Sequence, residues 1–196
     1  MKGCRSLTDE EIGLVFNTLK SQRDKVLFSL GLSTGLRISE LLSLTIGDVL
    51  EHGDVGSQVT VAKKNTKGKI ESKTLPISEP AKEQLKEYLD QLKFFTPKDP
   101  LFRSTQSKRS ITRIQAHRIL KDAFNTLQLK GNLSTHCLRK TFAHRVHKQM
   151  GGNIEMTKVA LCHKNLSSTA SYIQVNEEEV RKAILSIGQD MGKGFV

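Results

Sequence analysis

An arginine at the edge of an apolar segment is the feature that most limits how this chain can fold. In LSTGLRISELLSL, residues 32–44, Arg37 follows a glycine and a leucine at the mouth of an otherwise apolar helix. A guanidinium stays charged at neutral pH, so leaving it unpaired beside a core is unfavourable. The fold must therefore supply an anion: either Glu40, three residues further along the same helix face, or a bound ligand.

The charge balance favours an anionic ligand. The 196 residues include 31 Lys and Arg against 20 Asp and Glu, giving a formal net charge of +11, which is typical of proteins that bind nucleic acid. The excess is concentrated in three blocks, at 63–73, 103–121 and 139–148. If these blocks converge on one surface they form a footprint for phosphates, and otherwise they are solvated faces of a basic protein.

Length and cysteine usage limit the class of protein. With 37% hydrophobic residues, the chain is long enough for one well-buried domain, which we take to span 1–196. Cys4, Cys137 and Cys162 lack the spacing of a disulfide framework, and the sequence shows neither a secretory signal nor an apolar run long enough to span a membrane. We therefore expect a cytoplasmic protein with reduced thiols.

Hydrophobic periodicity predicts an α+β fold, mostly helical with one small sheet. Thr8 and Glu11 match a capping box that opens a helix through residue 19. Between 49 and 77 the pattern changes to short β-rich runs, and VTVA and KTLPI, joined by the turn NTKGK, predict part of a three-stranded antiparallel sheet. The other predicted helices cover 22–33, 36 onward, 78–94, 111–128, 136–150, 153–161, 168–174 and 176–187.

The segment STHCLRKTFAHRVHKQM, residues 134–150, contains a histidine and an arginine at helical spacing. His136 and Arg139 lie three apart, so both are expected on one helix face. His144 and His147 also share a face, but the cysteines of the chain lack the paired spacing of a structural zinc site. We interpret these last two as surface histidines.

A second segment, LCHKNLSSTASYIQV, places His163 nine residues before Tyr172. The chain has two tyrosines. Tyr88 falls on an amphipathic helix and is most simply a partly buried residue, whereas Tyr172 lies among small residues, where its hydroxyl can be reached. Of the two tyrosines, Tyr172 is therefore the one whose hydroxyl is expected to be accessible.

Together, these segments resemble the catalytic domain of the tyrosine recombinases, the phage integrase family. TGLRISELLSLTIGDV is similar to the family's first box, and His136-Cys137-Leu138-Arg139 to its His-x-x-Arg box. Leu161-Cys162-His163 with Tyr172 is similar to the third box, although Cys162 replaces the usual glycine. The resemblance runs from TDEE near the start through Tyr172 and rests on the three boxes occurring in order.

The resemblance implies a site-specific recombinase that cuts and rejoins DNA through a covalent 3′-phosphotyrosine, with no metal and no cofactor. Its catalytic set in this chain is Arg37, His136, Arg139, His163 and Tyr172. The two arginines would neutralise the phosphate oxygens, and Glu40 would orient Arg37. The tyrosine would attack the phosphorus, one histidine would assist proton transfer, and the other would hydrogen-bond the phosphate.

The family's catalytic lysine lies in the sheet hairpin and would protonate the leaving 5′ oxygen. Lys67 is the best match, followed by Lys64 and then Lys69, since KGK fits the family's turn only with a one-residue gap. Each of them can equally be a solvated side chain that makes a general phosphate contact. We expect further DNA contacts from Lys64, Lys69, Arg113 and Lys140.

The resemblance also implies partners: double-stranded DNA and further copies of the chain, as a tetramer on DNA. Family members commonly carry an N-terminal domain that closes around the duplex, so a chain that starts at the catalytic domain is either a fragment or a compact recombinase like the fimbrial-switch invertases. The helix at 176–187 either docks on a neighbouring protomer or folds onto its own core.

Two other functions compete with this interpretation. A non-enzymatic DNA binder with a helix-turn-helix over 136–161 explains the charge, but neither Arg37 nor Tyr172. A type IB topoisomerase would use similar chemistry and would relax supercoiled DNA at any site. The sequence contains no Walker-type loop, no dinucleotide fingerprint and no carboxylate cluster typical of a two-metal nuclease.

Overall fold

Helices and short strands follow one another along the chain in nearly the predicted order. The structure, a computed structural model, describes residues 3–66, 71–163, 165–172, 181, 182, 184 and 185. Its α-helices are α1 (Asp9–Thr18), α2 (Gln22–Thr34), α3 (Ile38–Leu41), α4 (Glu79–Gln91), α5 (Arg113–Thr126), α6 (His136–Gln149), α7 (Ile154–Ala160) and α8 (Leu166–Ala170). Its strands are β1 (Leu50–Glu51), β2 (Asp54–Val55), β3 (Gln58–Val61) and β4 (Lys73–Pro76), and 3₁₀ turns cover Ile46–Asp48 and Lys63–Asn65. The predicted α+β class is confirmed.

The start of α1 confirms the predicted capping box. Thr8 Oγ1 accepts from the Glu11 N–H at 3.2 Å, and the Glu11 carboxylate accepts from the Thr8 N–H at 3.0 Å. The same carboxylate pairs with Arg5 at 2.6 Å, and the Leu7 N–H donates to Thr141 on α6 at 2.8 Å. These bonds fix residues 5–8 between the start of α1 and α6.

The β-rich region forms two hairpins among the described residues, which corrects the predicted three-stranded sheet. β1 pairs antiparallel with β2, and β3 pairs with β4, with Val61 opposite Lys73. The break has a local cause: the Gly56 N–H extends the β1–β2 pairing by donating to the Val49 carbonyl at 2.9 Å, whereas the next carbonyl, that of Ser57, accepts from the Ile77 N–H at 2.9 Å beside the β3–β4 ladder. The two residues between β2 and β3 therefore belong to different hairpins, and β2 does not pair with β3 among the described residues.

Helix α2 lies at the centre of the fold. Leu27 and Leu30 join a buried cluster with α4 and the β3–β4 hairpin, whereas Phe28 joins a second cluster with α1, α5 and α6. All three side chains are at most 1% exposed. Burial on both sides holds α2 rigidly, so the turn that follows it is well placed to carry functional residues. Within the described ranges, no helix has the length and apolarity needed to cross a bilayer.

The turn after α2 requires glycine. Gly35 has φ +60°, and its N–H caps α2 by donating to the Gly31 carbonyl at 3.0 Å. A Cβ at Gly35 would overlap the ring of Phe142 on α6. The turn delivers Arg37 as the N-cap of α3, in extended conformation, so the prediction of a helix that starts at residue 36 and contains Arg37 is wrong by two residues.

We expect Gly35→Ala to lower the free energy of unfolding by about 2 to 5 kcal/mol, because a left-handed residue with a Cβ is strained and the Phe142 ring must also move. Gly53 is the matched control, since its φ is +90° and a Cβ there meets nothing within 4 Å. Gly53→Ala should cost only about 1 to 2 kcal/mol. Urea unfolding of both variants measures the difference, and equal losses would contradict the packing argument.

Candidate active site

Arg37 pairs with Glu40, an anion that its position requires, but the contact of its guanidinium is long. The Arg37 N–H donates to Glu40 Oε2 at 2.9 Å, and Nη1 of its guanidinium lies 3.3 Å from Glu40 Oε1. Among the described residues, Glu40 is the only hydrogen-bond partner of this guanidinium. Because the side chain is 26% exposed, the remaining N–H groups can reach a ligand.

Glu40 is shared with a second cation. Its side chain is 1% exposed, and the Lys73 Nζ approaches the same Oε1 at 2.6 Å. Burial raises the pKa of Glu40, but the hydrogen bonds from Lys73 and from the Arg37 backbone outweigh it and leave the pKa below the usual range. The carboxylate is therefore ionised at neutral pH.

Arg139 is a buried cation held by backbone carbonyls. It is 3% exposed. Nη1 donates to the Gly35 carbonyl after α2, and Nη2 donates to the Leu161 carbonyl after α7 at 2.9 Å and to His163 Nε2 at 2.7 Å. Its Nε has no hydrogen-bond partner in the part of the chain that the structure describes. A buried, unpaired N–H on a cation is unfavourable unless a ligand accepts it.

The two arginines are close enough to repel each other. Burial, and then the positive charge of Arg37, lower the pKa of Arg139, while Tyr172 and Glu40 oppose this change. An anion placed between the guanidinium groups would relieve the repulsion. Arg37 therefore has an internal anion in Glu40, and its partly exposed guanidinium can also contact an external one.

His163 and Tyr172 complete the group around Arg139. A guanidinium only donates, so His163 Nε2 accepts from Arg139, and the neutral tautomer with a proton on Nδ1 fits its 3.0 Å bond to Thr169 Oγ1. The rings of His163 and Tyr172 lie 5.5 Å apart, and the Arg139 Cζ lies 5.6 Å from the Tyr172 ring centroid. The tyrosine is half-buried, directly after α8.

A turn at the end of α7 positions His163. The Cys162 N–H donates to the Val159 carbonyl at 2.9 Å, and the His163 N–H to the Lys158 carbonyl at 3.0 Å, which is the Schellman pattern. Cys162 has φ +49°, a conformation that favours glycine. Cys162, where the family usually has glycine, therefore adopts the left-handed conformation that glycine favours, with some backbone strain. Its side chain is exposed.

His136 stands on the wall of a cavity of about 330 Å³ beside Tyr172, together with Lys140 and Ser134. His136 is exposed, although Arg139, three residues later, is buried. The prediction that both share one face is therefore only partly right: they flank the same tyrosine, one from the cavity and one from the core.

The remaining predicted residues lie apart from this group or outside the described residues. Lys64 is exposed in the 3₁₀ turn before the hairpin tip, and Arg113 is exposed at the start of α5. Lys67 and Lys69 lie outside the described residues, as does most of the predicted helix at 176–187. No three His, Cys, Asp or Glu side chains in the described ranges gather as a metal site.

The sequence analysis missed two residues that the structure places at this site. Lys73 was counted in a basic block, yet it turns inward and is 12% exposed. Its register with Leu75, two positions along β4, was the available signal, because alternate residues of a strand share a face. Thr169, fully buried and bonded to His163, carries no distinctive sequence signal.

The fold and the site together define the class: the catalytic domain of a tyrosine recombinase. The model of the phage integrase family matches residues 5–179. The chain therefore belongs to the phage integrase family.

Curated relatives agree with this assignment. The chain is 32% identical over 169 residues to the probable integrase/recombinase YoeC of Bacillus subtilis (strain 168), covering 86% of this chain and 87% of YoeC. It is 28% identical over 184 residues to the tyrosine recombinase XerC of Staphylococcus aureus (strain MSSA476), covering 91% of this chain and 59% of XerC. The chain thus spans most of the first relative and about three fifths of the second.

Solved structures show the same fold. The XerA recombinase superposes with a TM-score of 0.74 at 24% identity, covering 92% of this chain and 62% of XerA. The XerH recombinase bound to a palindromic difH substrate, in a post-cleavage complex, superposes with a TM-score of 0.73 at 21% identity, covering 91% of this chain and 51% of XerH.

We expect Glu40→Gln to lower the free energy of unfolding by about 3 kcal/mol at pH 7, because it leaves Lys73 poorly paired. Since the folded-state pKa of Glu40 is depressed, its contribution is fully present above the ordinary value of about 4.3 and is lost as the pH falls through the folded-state value. The difference between wild type and variant should therefore shrink below about pH 4.3.

Urea unfolding at pH 7, 5, 4 and 3 measures this difference. Glu51→Gln is the control, because Glu51 is exposed on β1 and no ion pair is recorded for it in the described residues. A difference for Glu40→Gln that stays constant across the pH range would show that the ionised carboxylate is not the stabilising form.

Proposed function

We propose that this chain is the catalytic domain of a site-specific recombinase that cuts and rejoins double-stranded DNA through a covalent 3′-phosphotyrosine. One observation carries the proposal beyond family membership: among the described residues, the Nε–H of the buried Arg139 has no partner, and this guanidinium lies beside Tyr172 and is repelled by the charge of Arg37. A phosphodiester between these groups would satisfy the donor and separate the charges.

Charge stabilisation is the main task of the two arginines. Attack on the scissile phosphate develops negative charge on its non-bridging oxygens, and preorganised donors stabilise that charge. Arg139 is fixed by the Gly35 and Leu161 carbonyls, so it does not have to reorganise. Arg37 presents its unused N–H groups from the α3 turn, while Glu40 keeps hold of its backbone.

Tyr172 is the proposed nucleophile. Its oxygen attacks the phosphorus as the bond to the 5′ oxygen breaks, and the phenolic proton leaves with help from His136 across the cavity. His163 hydrogen-bonds the phosphate through Nε2 after this nitrogen has released Arg139 and taken up a proton, while Nδ1 keeps its bond to Thr169. The 5′ oxygen takes its proton from Lys67. In rejoining, another 5′-hydroxyl attacks the phosphorus, the phosphotyrosyl bond breaks and the tyrosine oxygen regains its proton, so each step exchanges one phosphoester bond for another.

Partners follow from the same proposal. The duplex would lie across the cavity, with DNA contacts from Lys64, Lys69, Arg113 and Lys140, and binding should weaken steeply with salt. XerH and lambda integrase structures are described as complexes with their DNA sites, the latter as a dimer. We propose a tetramer on DNA, formed in the cytoplasm, with the segment at 176–187 linking neighbouring protomers.

A protein that only binds DNA would not need this arrangement. Contacts with the DNA backbone are made by exposed lysines and arginines, which water solvates in the free protein. Arg139 is 3% exposed and its Nε–H lacks a partner in the described ranges, which is unfavourable, and binding alone gives no reason to bury it. The arrangement is reasonable where charge must be stabilised in a transition state.

We expect Tyr172→Phe to abolish protein-linked DNA on a suicide substrate, in which a nick near the cleavage site lets the released strand diffuse away. Tyr88→Phe is the matched control, because Tyr88 is buried and its hydroxyl donates to the Leu101 carbonyl at 3.0 Å. That variant should lose about 1 kcal/mol of stability and still form the adduct. Denaturing gels and mass spectrometry of the linked peptide measure the outcome, and an adduct on another residue would overturn the assignment.

We expect Lys67→Ala to slow strand cleavage by about 10²- to 10⁴-fold, because the leaving oxygen loses its general acid. A substrate with sulfur in place of the bridging 5′ oxygen should restore the rate, since a thiolate leaves without protonation. Lys64→Ala and Lys69→Ala are the controls and should weaken DNA binding without this rescue. Rescue of either control instead of Lys67→Ala would move the general acid to that residue.

A further inference from the structure

Lys73, the inward-facing lysine of the β3–β4 hairpin, takes no part in the reaction steps proposed for the site. We propose that Lys73 is a positioning residue: by occupying Glu40, it keeps the Arg37 guanidinium free for the scissile phosphate and fixes the hairpin to the α3 turn. This inference rests on the proposed function for the role of Arg37. It concerns a residue that does not touch the reacting atoms itself.

Lys73 differs from the other ion-paired lysines of the described residues. Its Nζ lies 2.6 Å from Glu40, with the two side chains 12% and 1% exposed. Lys86 and Lys158 make pairs of 3.3 and 3.7 Å at the surface, where partner side chains are 72% and 62% exposed. A short ion pair in a poorly solvated place depends strongly on both partners, whereas exposed pairs contribute little.

The two cations compete for one oxygen. Glu40 Oε1 receives Lys73 at 2.6 Å and Arg37 at 3.3 Å. Coulombic attraction falls with distance, so the ammonium takes the larger share of this oxygen's charge. Without the ammonium, an arginine and a carboxylate three residues apart would favour a tight two-bond pair. Arg37 would then be drawn to Glu40 and away from a phosphate.

The same bond joins two elements of the proposed site. Lys73 is the first residue of β4, opposite Val61 of β3, and Glu40 lies on α3 directly after the α2 turn. The hairpin is otherwise anchored by buried apolar residues such as Val59 and Val61, which fix its depth but allow sliding more easily than a directional bond does. The Lys73–Glu40 bond therefore sets the distance between the hairpin and Arg37.

The test compares Lys73→Met, Lys73→Arg, Glu40→Gln and the Lys73→Met/Glu40→Gln double variant. Lys86→Met is the control, since it removes the surface pair with Asp54. The readout is the rate of adduct formation on the suicide substrate at saturating DNA, per folded molecule, with DNA affinity measured separately.

Lys73→Met should slow adduct formation by about 10- to 100-fold, as expected for a misplaced group, and change DNA affinity little. Lys73→Arg should recover part of the rate, and Lys86→Met should match wild type. The double variant should be no slower than the slower single variant, because Lys73 acts through Glu40. If the rate losses of the two single variants multiply in the double variant, Lys73 acts independently of Glu40 and the proposal is overturned. A wild-type rate for Lys73→Met would also overturn it.

A measurement without DNA separates this inference from the proposed function. Nuclear magnetic resonance of the Arg37 guanidinium N–H groups should show tighter pairing with Glu40 in Lys73→Met and no change in Lys86→Met. If wild-type protein forms no adduct, the proposed recombinase function fails, and the Arg37 signal still decides the role of Lys73. An unchanged Arg37 signal in Lys73→Met would overturn the inference even if strand cleavage is confirmed.

Discussion

The buried guanidinium of Arg139 is the interaction on which the site depends. It is solvated by the carbonyls of Gly35 and Leu161, which end α2 and α7. The end of a helix leaves carbonyls without partners, and its negative potential favours a cation. Arg139 thus joins two helix ends that would otherwise need water. Arg37 lies two residues after Gly35 and His163 two residues after Leu161. The bonds of Arg139 to these two carbonyls therefore also set the positions of Arg37 and His163.

The two arginines are prepared for an anion in different ways. Arg139 is buried and held by three hydrogen bonds, so its Nε–H, which has no partner in the described part of the chain, is a donor in a fixed position. Arg37 is partly exposed and loosely held, so it offers several adjustable donors. A rigid donor gives geometric precision, and an adjustable one can follow a phosphate that changes shape during the reaction. Glu40 limits the positions that the Arg37 guanidinium can take. Lys73, the other partner of Glu40, weakens the Arg37–Glu40 pair.

Much of this arrangement could be predicted from sequence, and the failures have physical causes. Periodicity and capping identified the helices, since local patterns determine them. The prediction of a three-stranded sheet was wrong because the chain changes pairing partner between Gly56, which bonds to Val49, and Ser57, which bonds to Ile77. The opposite exposure of His136 and Arg139 was beyond local reasoning, because residues three apart on a helix are offset around its axis and only tertiary packing decides which is covered. Lys73 was missed because a lysine is expected at the surface.

The left-handed backbone at Cys162 has a practical consequence. Of the three thiols, Cys137 is buried and Cys4 half-buried, whereas Cys162 points to solvent one residue before His163. A fluorophore or spin probe coupled there would sit on the α7–α8 connection without entering the core. Its emission or mobility would report how that connection responds when a duplex arrives, in real time and before any strand is cut.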